Sequence, residues 1–333
     1  MSRNGASVMS DIFDTVLLLA LPASGKSEVR KYLDHLETKD RARDFHMGPT
    51  VQLDDFPYVH MMRLIDEALL AIDKPAIFFQ SPDKPFTEPR DWGTLTKLIN
   101  EDYADLVGKR ITQPDSPADH LLDRIDAARR KVGAPAALRA LDEDTRAHVC
   151  ATIEDEARDL LNEKHKNYPE TLNGKTVVIE FARGGPQGSR MPLEPPFGYE
   201  YSLAHLSPEV LERAVILYIW VTPEESRRKN DDRADPNDPG SILNHGVPID
   251  VMLNDYGCDD IEYLLHVSGQ PDTVLVPAQG KNFHLPLSRF DNRTDKTSFI
   301  RGNSKAWKPA DVAALHDGLK GALERLYDKV ANE

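Results

Sequence analysis

The sequence predicts an α/β protein with a doubly wound, mostly parallel sheet and helices on both faces. Three observations predict it. Four apolar, β-branched-rich runs, 15–20 (TVLLLA), 76–80 (AIFFQ), 176–182 (TVVIEFA) and 214–221 (AVILYIWV), lack apolar–polar alternation. Strands covered on both faces read this way. Helical spacing fills intervals between and after them, at 26–37, 59–72, 95–106 and 208–213. Strand and helix patterns therefore alternate, the order of a parallel sheet joined by crossover helices. Two weaker strands are expected at 50–56 (TVQLDDF) and 272–277 (DTVLVP).

Taken in order, the first run ends in a loop of small residues, ALPASGKS, at 20–27. A strand, a glycine-containing turn and a helix starting at Lys26 are the parts of a phosphate cradle. Backbone N–H groups turn inward, and the helix adds its positive N-terminal end. The pattern G-x-x-x-x-G-K-[ST] is met except at its first position, where Ala20 stands for glycine. Pro22, Ala23, Ser24, Gly25, Lys26 and Ser27 would surround the phosphates, with the Ser27 hydroxyl toward Mg²⁺. Ala20 costs nothing if its backbone is extended, and strains the turn if its φ is positive.

The second strand candidate ends in Asp54 and Asp55, beside Phe56 and Tyr58. Ligands of such sheets bind at the carboxyl ends of the strands. A carboxylate there can accept a proton from an attacking hydroxyl or help hold a cation. Successive strand residues point to opposite faces, so the pair is expected to divide its duties, one toward the site and one capping the next helix. The third strong run from 176 ends in Glu180, followed by Arg183, Gly184 and Gly185. Arg183 is a candidate for an acceptor phosphate or sugar.

LPASGKS after an apolar strand, followed by LDDFPY, resembles the P-loop nucleoside and nucleotide kinases, in particular the uridine kinase and phosphoribulokinase branch. The resemblance covers the first two strands well, the later elements loosely, and residues 83–165 hardly at all. It implies a three-layer P-loop NTPase-type sheet, ATP as phosphoryl donor with Mg²⁺, and an Asp at the end of strand two as catalytic base. Asp54 is then the favoured base and Asp55 a near-equal candidate. Glu180 takes the place of the usual Mg²⁺-positioning Asp, and would either position the ion through water or activate the acceptor. Phe56, Tyr58, Arg63 and Arg183 would line the acceptor.

The densest basic cluster in this acidic chain, Arg227, Arg228, Lys229 and Arg233, opens a stretch rich in Asp, Pro and Gly. Such a stretch reads as a long loop. The resemblance makes residues 224–246 a lid, with Arg227 on the donor and Arg228 and Arg233 on the transferring phosphoryl, whose charge must be neutralised. Residues 116–165 break the alternation with two amphipathic helical patterns around GAPAA, and read as a helical insertion. It is either a solvated hairpin or a subdomain that covers the acceptor. A closing amphipathic helix follows Pro309. NRTD at 292–295 looks like a guanine-reading motif, but no D-x-x-G strand accompanies it.

Composition bounds the rest. The chain has 333 residues, 40% hydrophobic and 29% charged, an ordinary water-soluble mixture. It is expected to form one P-loop kinase-like domain over 1–333, with the insertion and lid inside it. A net charge of -14 and a pI near 5.3 disfavour nucleic acid and anionic membranes. Cys150 and Cys258 are too few for a disulfide framework. The N-terminal stretch carries acids ahead of its apolar run, unlike a secretory leader. A cytoplasmic kinase of a small nucleoside, nucleotide or sugar-like acceptor is the expectation, and a homodimer is compatible with it. A nucleotide switch or ATPase acting on a protein partner is the alternative, with the insertion as partner surface.

Overall fold

The computed structural model describes residues 12–233 and 246–331. The chain enters β1 (Thr15–Leu19), turns into α1 (Lys26–His35) and α2 (Thr38–Phe45), and returns through β2 (Thr50–Asp54). Four helices follow: α3 (Phe56–Leu70), α4 (Asp91–Gly108), α5 (Pro117–Lys131) and α6 (Glu143–Lys166). Next come β3 (Thr176–Phe181), α7 (Gly198–Ala204), α8 (Pro208–Leu211) and β4 (Ala214–Trp220). The last part contains α9 (Pro223–Arg233), α10 (Ile249–Asn254), α11 (Ile261–Val267), β5 (Thr273–Ala278), β6 (Lys281–Asp291) and α12 (Pro309–Ala331).

The six strands form one sheet in the order β2-β3-β1-β4-β6-β5, parallel except for the antiparallel β5–β6 pair. Alternation along β1 explains the layers. Leu17 and Leu19 face a core shared with α4, α7, α8 and α11, while Val16 and Leu18 face one shared with α1 and α12. Helices on both sides of a mostly parallel sheet make a three-layer α/β architecture. From β1 the chain crosses toward β2 on one side, and from β4 it continues toward β6 and β5 on the other. The carboxyl end of β1 therefore lies at the switch in direction, where this class of sheet leaves a crevice. A third apolar cluster joins α3, α4, α5 and α6 beside the sheet. Among the described residues, no helix is long and apolar enough to cross a membrane.

Two expectations are corrected, and one strand was not anticipated. Residues 76–80 form no strand. The Asp66 carboxylate takes the N–H groups of Ile77, Phe78 and Phe79, at 2.7, 3.1 and 2.8 Å, where a sheet neighbour would have. The run is apolar because Phe78 and Phe79 are buried in the helical cluster. Conversely, 281–291 is a strand, masked in sequence by its polar residues and Pro286. Its first half pairs with β5 and its second half with β4, so Pro286 stands where one partner gives way to the other. The basic residues assigned to the 224–246 loop stand on helix α9, and residues 234–245 of that loop lie outside the described residues.

Candidate active site

The loop at 20–27 joins the end of β1 to the start of α1. Ala20 is not among the residues with positive φ, so its methyl is tolerated. The two left-handed positions are Ala23, at φ 53°, and Gly25, at φ 107°. A Cβ on Gly25 would lie 2.4 Å from Thr297 Oγ1 and 2.9 Å from Asn292 Nδ2. Glycine is required there for both conformation and room.

Distant residues hold the loop. Asn292 Nδ2 donates to the Ser24 carbonyl at 2.7 Å, and Ser226 Oγ to the Pro22 carbonyl at 2.7 Å. Tyr199 Oη donates to the Ala20 carbonyl at 3.0 Å. With its carbonyls engaged from behind, the loop's outward-facing groups are held in one arrangement. The Ser24 hydroxyl is buried with no hydrogen-bond partner.

Lys26 opens α1 and is 8% exposed, with Nζ 3.5 Å from the Ala20 carbonyl oxygen. Burial lowers its pKa, the charges of Glu180, Asp54 and Asp55 oppose that, and Arg233 reinforces it. These five groups therefore share one electrostatic neighbourhood. Strand register puts Asp54 directly beside Glu180. Arg30, one helical turn after Lys26, bridges them, 2.6 Å from Glu180 and 3.5 Å from Asp54. Ser27, half-buried, is the second residue of α1.

The two aspartates divide their duties differently from the sequence expectation. Asp54 does both jobs. Its Oδ1 accepts the Phe56 N–H at 2.8 Å, at the start of α3, while Oδ2 faces Arg30. Its side chain keeps 31% of its surface, recessed but open. Burial, then the charges of Glu180 and Asp55, push its carboxyl up to about 7 against the Phe56 N–H and Arg30. Asp55 is buried, and its Oδ2 receives Arg183 Nη1 at 2.6 Å. Burial raises its pKa, and Arg183 and Lys26 pull it back.

Arg183 is not offered to an acceptor. It is 2% exposed and donates to Asp55, the Ala182 carbonyl and Ser202 Oγ, between the rings of Trp92 and Phe181. Its place is beneath Asp55. Gly184 and Gly185 likewise serve backbone contact. A Cβ on Gly184 would lie 2.4 Å from the Cys258 carbonyl oxygen, and Gly185 exchanges hydrogen bonds with Cys258.

The α9 cluster disperses. Lys229 is wholly buried against Asp295 at 2.8 Å and Thr297 Oγ1 at 3.0 Å. Arg228 is neutralised by Glu225, Asp232 and Asp295. Arg227 pairs with Glu224, and its Nη1 is buried without a hydrogen-bond partner. Arg233 adds its positive charge to the surroundings of Lys26. Phe56 is 37% exposed, and Arg63 stacks on Phe79 and donates to the Pro82 carbonyl, apart from Lys26. Tyr58 is buried and donates to Asp102, which Arg124 and Lys164 also contact.

Sequence reasoning missed Arg30, although its four-residue spacing from Lys26 on a helix was a usable signal. Asn292, Thr297, Ser226 and Tyr199 reach the loop only through the fold. Among the described residues, no group of three or more His, Cys, Asp or Glu side chains is arranged to hold a metal ion. No family model matches the chain, and no curated protein or solved structure matches it.

Proposed function

We propose that this protein is a P-loop phosphotransferase that moves the γ-phosphoryl of ATP to a small hydroxyl- or phosphate-bearing acceptor. One observation carries the reading. A loop with two left-handed residues delivers a buried lysine to the N-terminus of a helix, at the carboxyl end of the central strand, where the charges of three carboxylates act on it. A loop of this kind binds anionic phosphates through backbone N–H groups and the helix terminus. Lys26 would neutralise the transferring phosphoryl, which needs positioning and charge compensation more than covalent help.

Asp54 suits the role of base. It is open where Asp55 is closed, and a carboxyl raised to about 7 can accept a hydroxyl proton at neutral pH. Asp55, held by Arg183, would position Lys26. The donor enters as its Mg²⁺ complex, and oxygen donors are what that ion prefers. The Ser27 hydroxyl, and the Glu180 carboxylate through water, are the residues of this chain that would hold it. Arg233 is the α9 cation best suited to the phosphoryl group.

The test is ADP release from MgATP, with and without nucleosides, nucleoside monophosphates, sugars and sugar phosphates. Stimulation by one acceptor class in the wild type, lost in Lys26→Ala, is the expected result. Equal rates in wild type and a folded Lys26→Ala protein would refute the reading.

A further inference from the structure

A cleft of about 630 Å³ lies between α4 and α5, lined also by Gln279 in the turn between β5 and β6. That turn precedes the part of β6 that pairs with β4, so it lies past the amino-terminal edge of the central strands, opposite the Lys26 loop. The geometry points to this cleft as a second ligand site, separate from that loop, for a small anion carrying a phosphate group. The inference does not depend on the phosphotransferase reading.

Charge is the first argument. Four fixed cations line the cleft, Lys97, Arg110, Arg124 and Lys131, against two carboxylates, Glu101 and Asp105. The ion pairs do not cancel this excess, because each carboxylate is shared. Glu101 takes Lys131 at 2.8 Å and Arg124 at 3.4 Å, and Asp105 takes Lys164 at 2.6 Å and Arg110 at 2.7 Å. Asp102, which backs the cleft, takes Arg124 and Lys164, both at 2.8 Å. Five cations therefore surround three carboxylates, in a chain whose net charge is -14. An anion can join them without breaking a pair, and a cleft of one sign concentrates such ions.

Two groups register the surplus. Burial lowers the pKa of Lys97, and the charge of Lys131 lowers it further. Burial does the same to His120, which also lines the cleft, and the charges of Arg124 and Lys164 add to it.

Construction is the second argument. The donors are anchored from behind and keep N–H groups to offer. Arg124 spends Nε on Glu101 and Nη2 on Tyr58 and Asp102, which leaves Nη1. Its side chain is only 13% exposed, so the guanidinium is held in place rather than waving in solvent. Lys97 has a backbone carbonyl as partner, that of His205 at 2.8 Å, and keeps two of its three donors. Asn100 donates to the same carbonyl at 2.8 Å and accepts the Ser207 N–H at 2.9 Å, which pins α4 to the segment joining α7 and α8. A guanidinium and two ammonium groups on fixed helices suit phosphate oxygens, and the volume suits a metabolite rather than a bare ion.

The test is calorimetric titration of inorganic pyrophosphate and ribose 5-phosphate into the full-length protein without Mg²⁺, with citrate and ribose as comparison ligands. Wild type is compared with Lys26→Ala, Lys97→Gln, Lys131→Glu and Lys39→Glu, each checked by thermal unfolding. The Lys131 side chain is 52% exposed, so its variant folds even if Lys97→Gln does not. Lys39, on α2 and 75% exposed, receives the same change of charge far from the cleft. We expect a phosphate compound to bind and a site to survive Lys26→Ala. Lys131→Glu and Lys97→Gln should weaken that site about ten-fold or more, as the loss of a charged hydrogen bond does, while Lys39→Glu leaves it within about two-fold. Binding abolished by Lys26→Ala would place the anion in the loop and overturn the inference. So would equal weakening by Lys131→Glu and Lys39→Glu, tighter binding of citrate or ribose than of either phosphate compound, or no binding at all.

Discussion

Replacing Arg183 by methionine removes the charge beneath Asp55 and keeps much of the side chain's volume. The guanidinium is 2% exposed and bonded to Asp55 at 2.6 Å, the Ala182 carbonyl at 2.6 Å and Ser202 at 2.9 Å. Deleting one partner of a buried ion pair costs about 3–5 kcal/mol, because the other charge is left uncompensated. Asp55 has an escape, since it can take up a proton. Burial already holds its carboxyl above its ordinary value, and Arg183 is the main force pulling it down. The cost near neutral pH should therefore fall at the lower end, about 2–4 kcal/mol. In a chain of 333 residues, 1 kcal/mol corresponds to about 1.4 °C, so Tm should drop by about 3–6 °C.

The sign of the pH dependence follows. An acid whose folded pKa is raised contributes stability that is present below its unfolded pKa and lost as pH rises through the folded one. Arg183→Met raises Asp55 further, so the Tm deficit should grow with pH. The assay is thermal unfolding by circular dichroism across the acid-to-neutral range, with Asp55→Asn and the double variant. The double variant should recover at least about 1.5 kcal/mol relative to the sum of the singles. A Tm change below about 1 °C, or strict additivity, would refute the pairing as the reason Asp55 is held where it is.

Gly25→Ala should lower Tm by several degrees and abolish ATP binding, because φ 107° and the 2.4 Å approach to Thr297 both exclude a methyl; a native-like Tm with intact binding would contradict the loop geometry. Asp54→Asn should gain stability relative to wild type as pH rises from about 4 to about 8, since a carboxyl raised to about 7 destabilises the fold only once ionised; unfolding curves whose difference is independent of pH would contradict it. Asp66→Ala should cost about 2–4 kcal/mol and loosen residues 77–79, whose N–H groups lose their acceptor; unchanged hydrogen exchange at those amides would refute the role.

How much of this was legible follows from where each signal lies. β1, β3 and β4 are covered on both faces, and their continuous apolar runs show it. Residues 76–80 carry the same signal for another reason, burial within a helical cluster, and periodicity cannot distinguish the two. β6 hides because each half has a different sheet neighbour, so Pro286 and the polar residues around it cost little pairing. The loop at 20–27 was readable because its conformation is local. Its clamp was not: Asn292 lies 268 residues from Ser24, and nothing near Asn292 announces the contact. Arg183 and Lys229 carry the right chemistry for a phosphate site in sequence, yet both are spent inside the protein on Asp55 and Asp295. Charge in a sequence does not say which charges the fold will neutralise.

The most direct test of the central claim is ³¹P NMR of the products formed from MgATP and an acceptor mixture. The account predicts a new resonance of a phosphorylated acceptor, a phosphomonoester from a hydroxyl or a diphosphate from a phosphate, that grows in step with ADP and is absent with Lys26→Ala. ADP accompanied only by inorganic phosphate, at the same rate with and without acceptors, would contradict it.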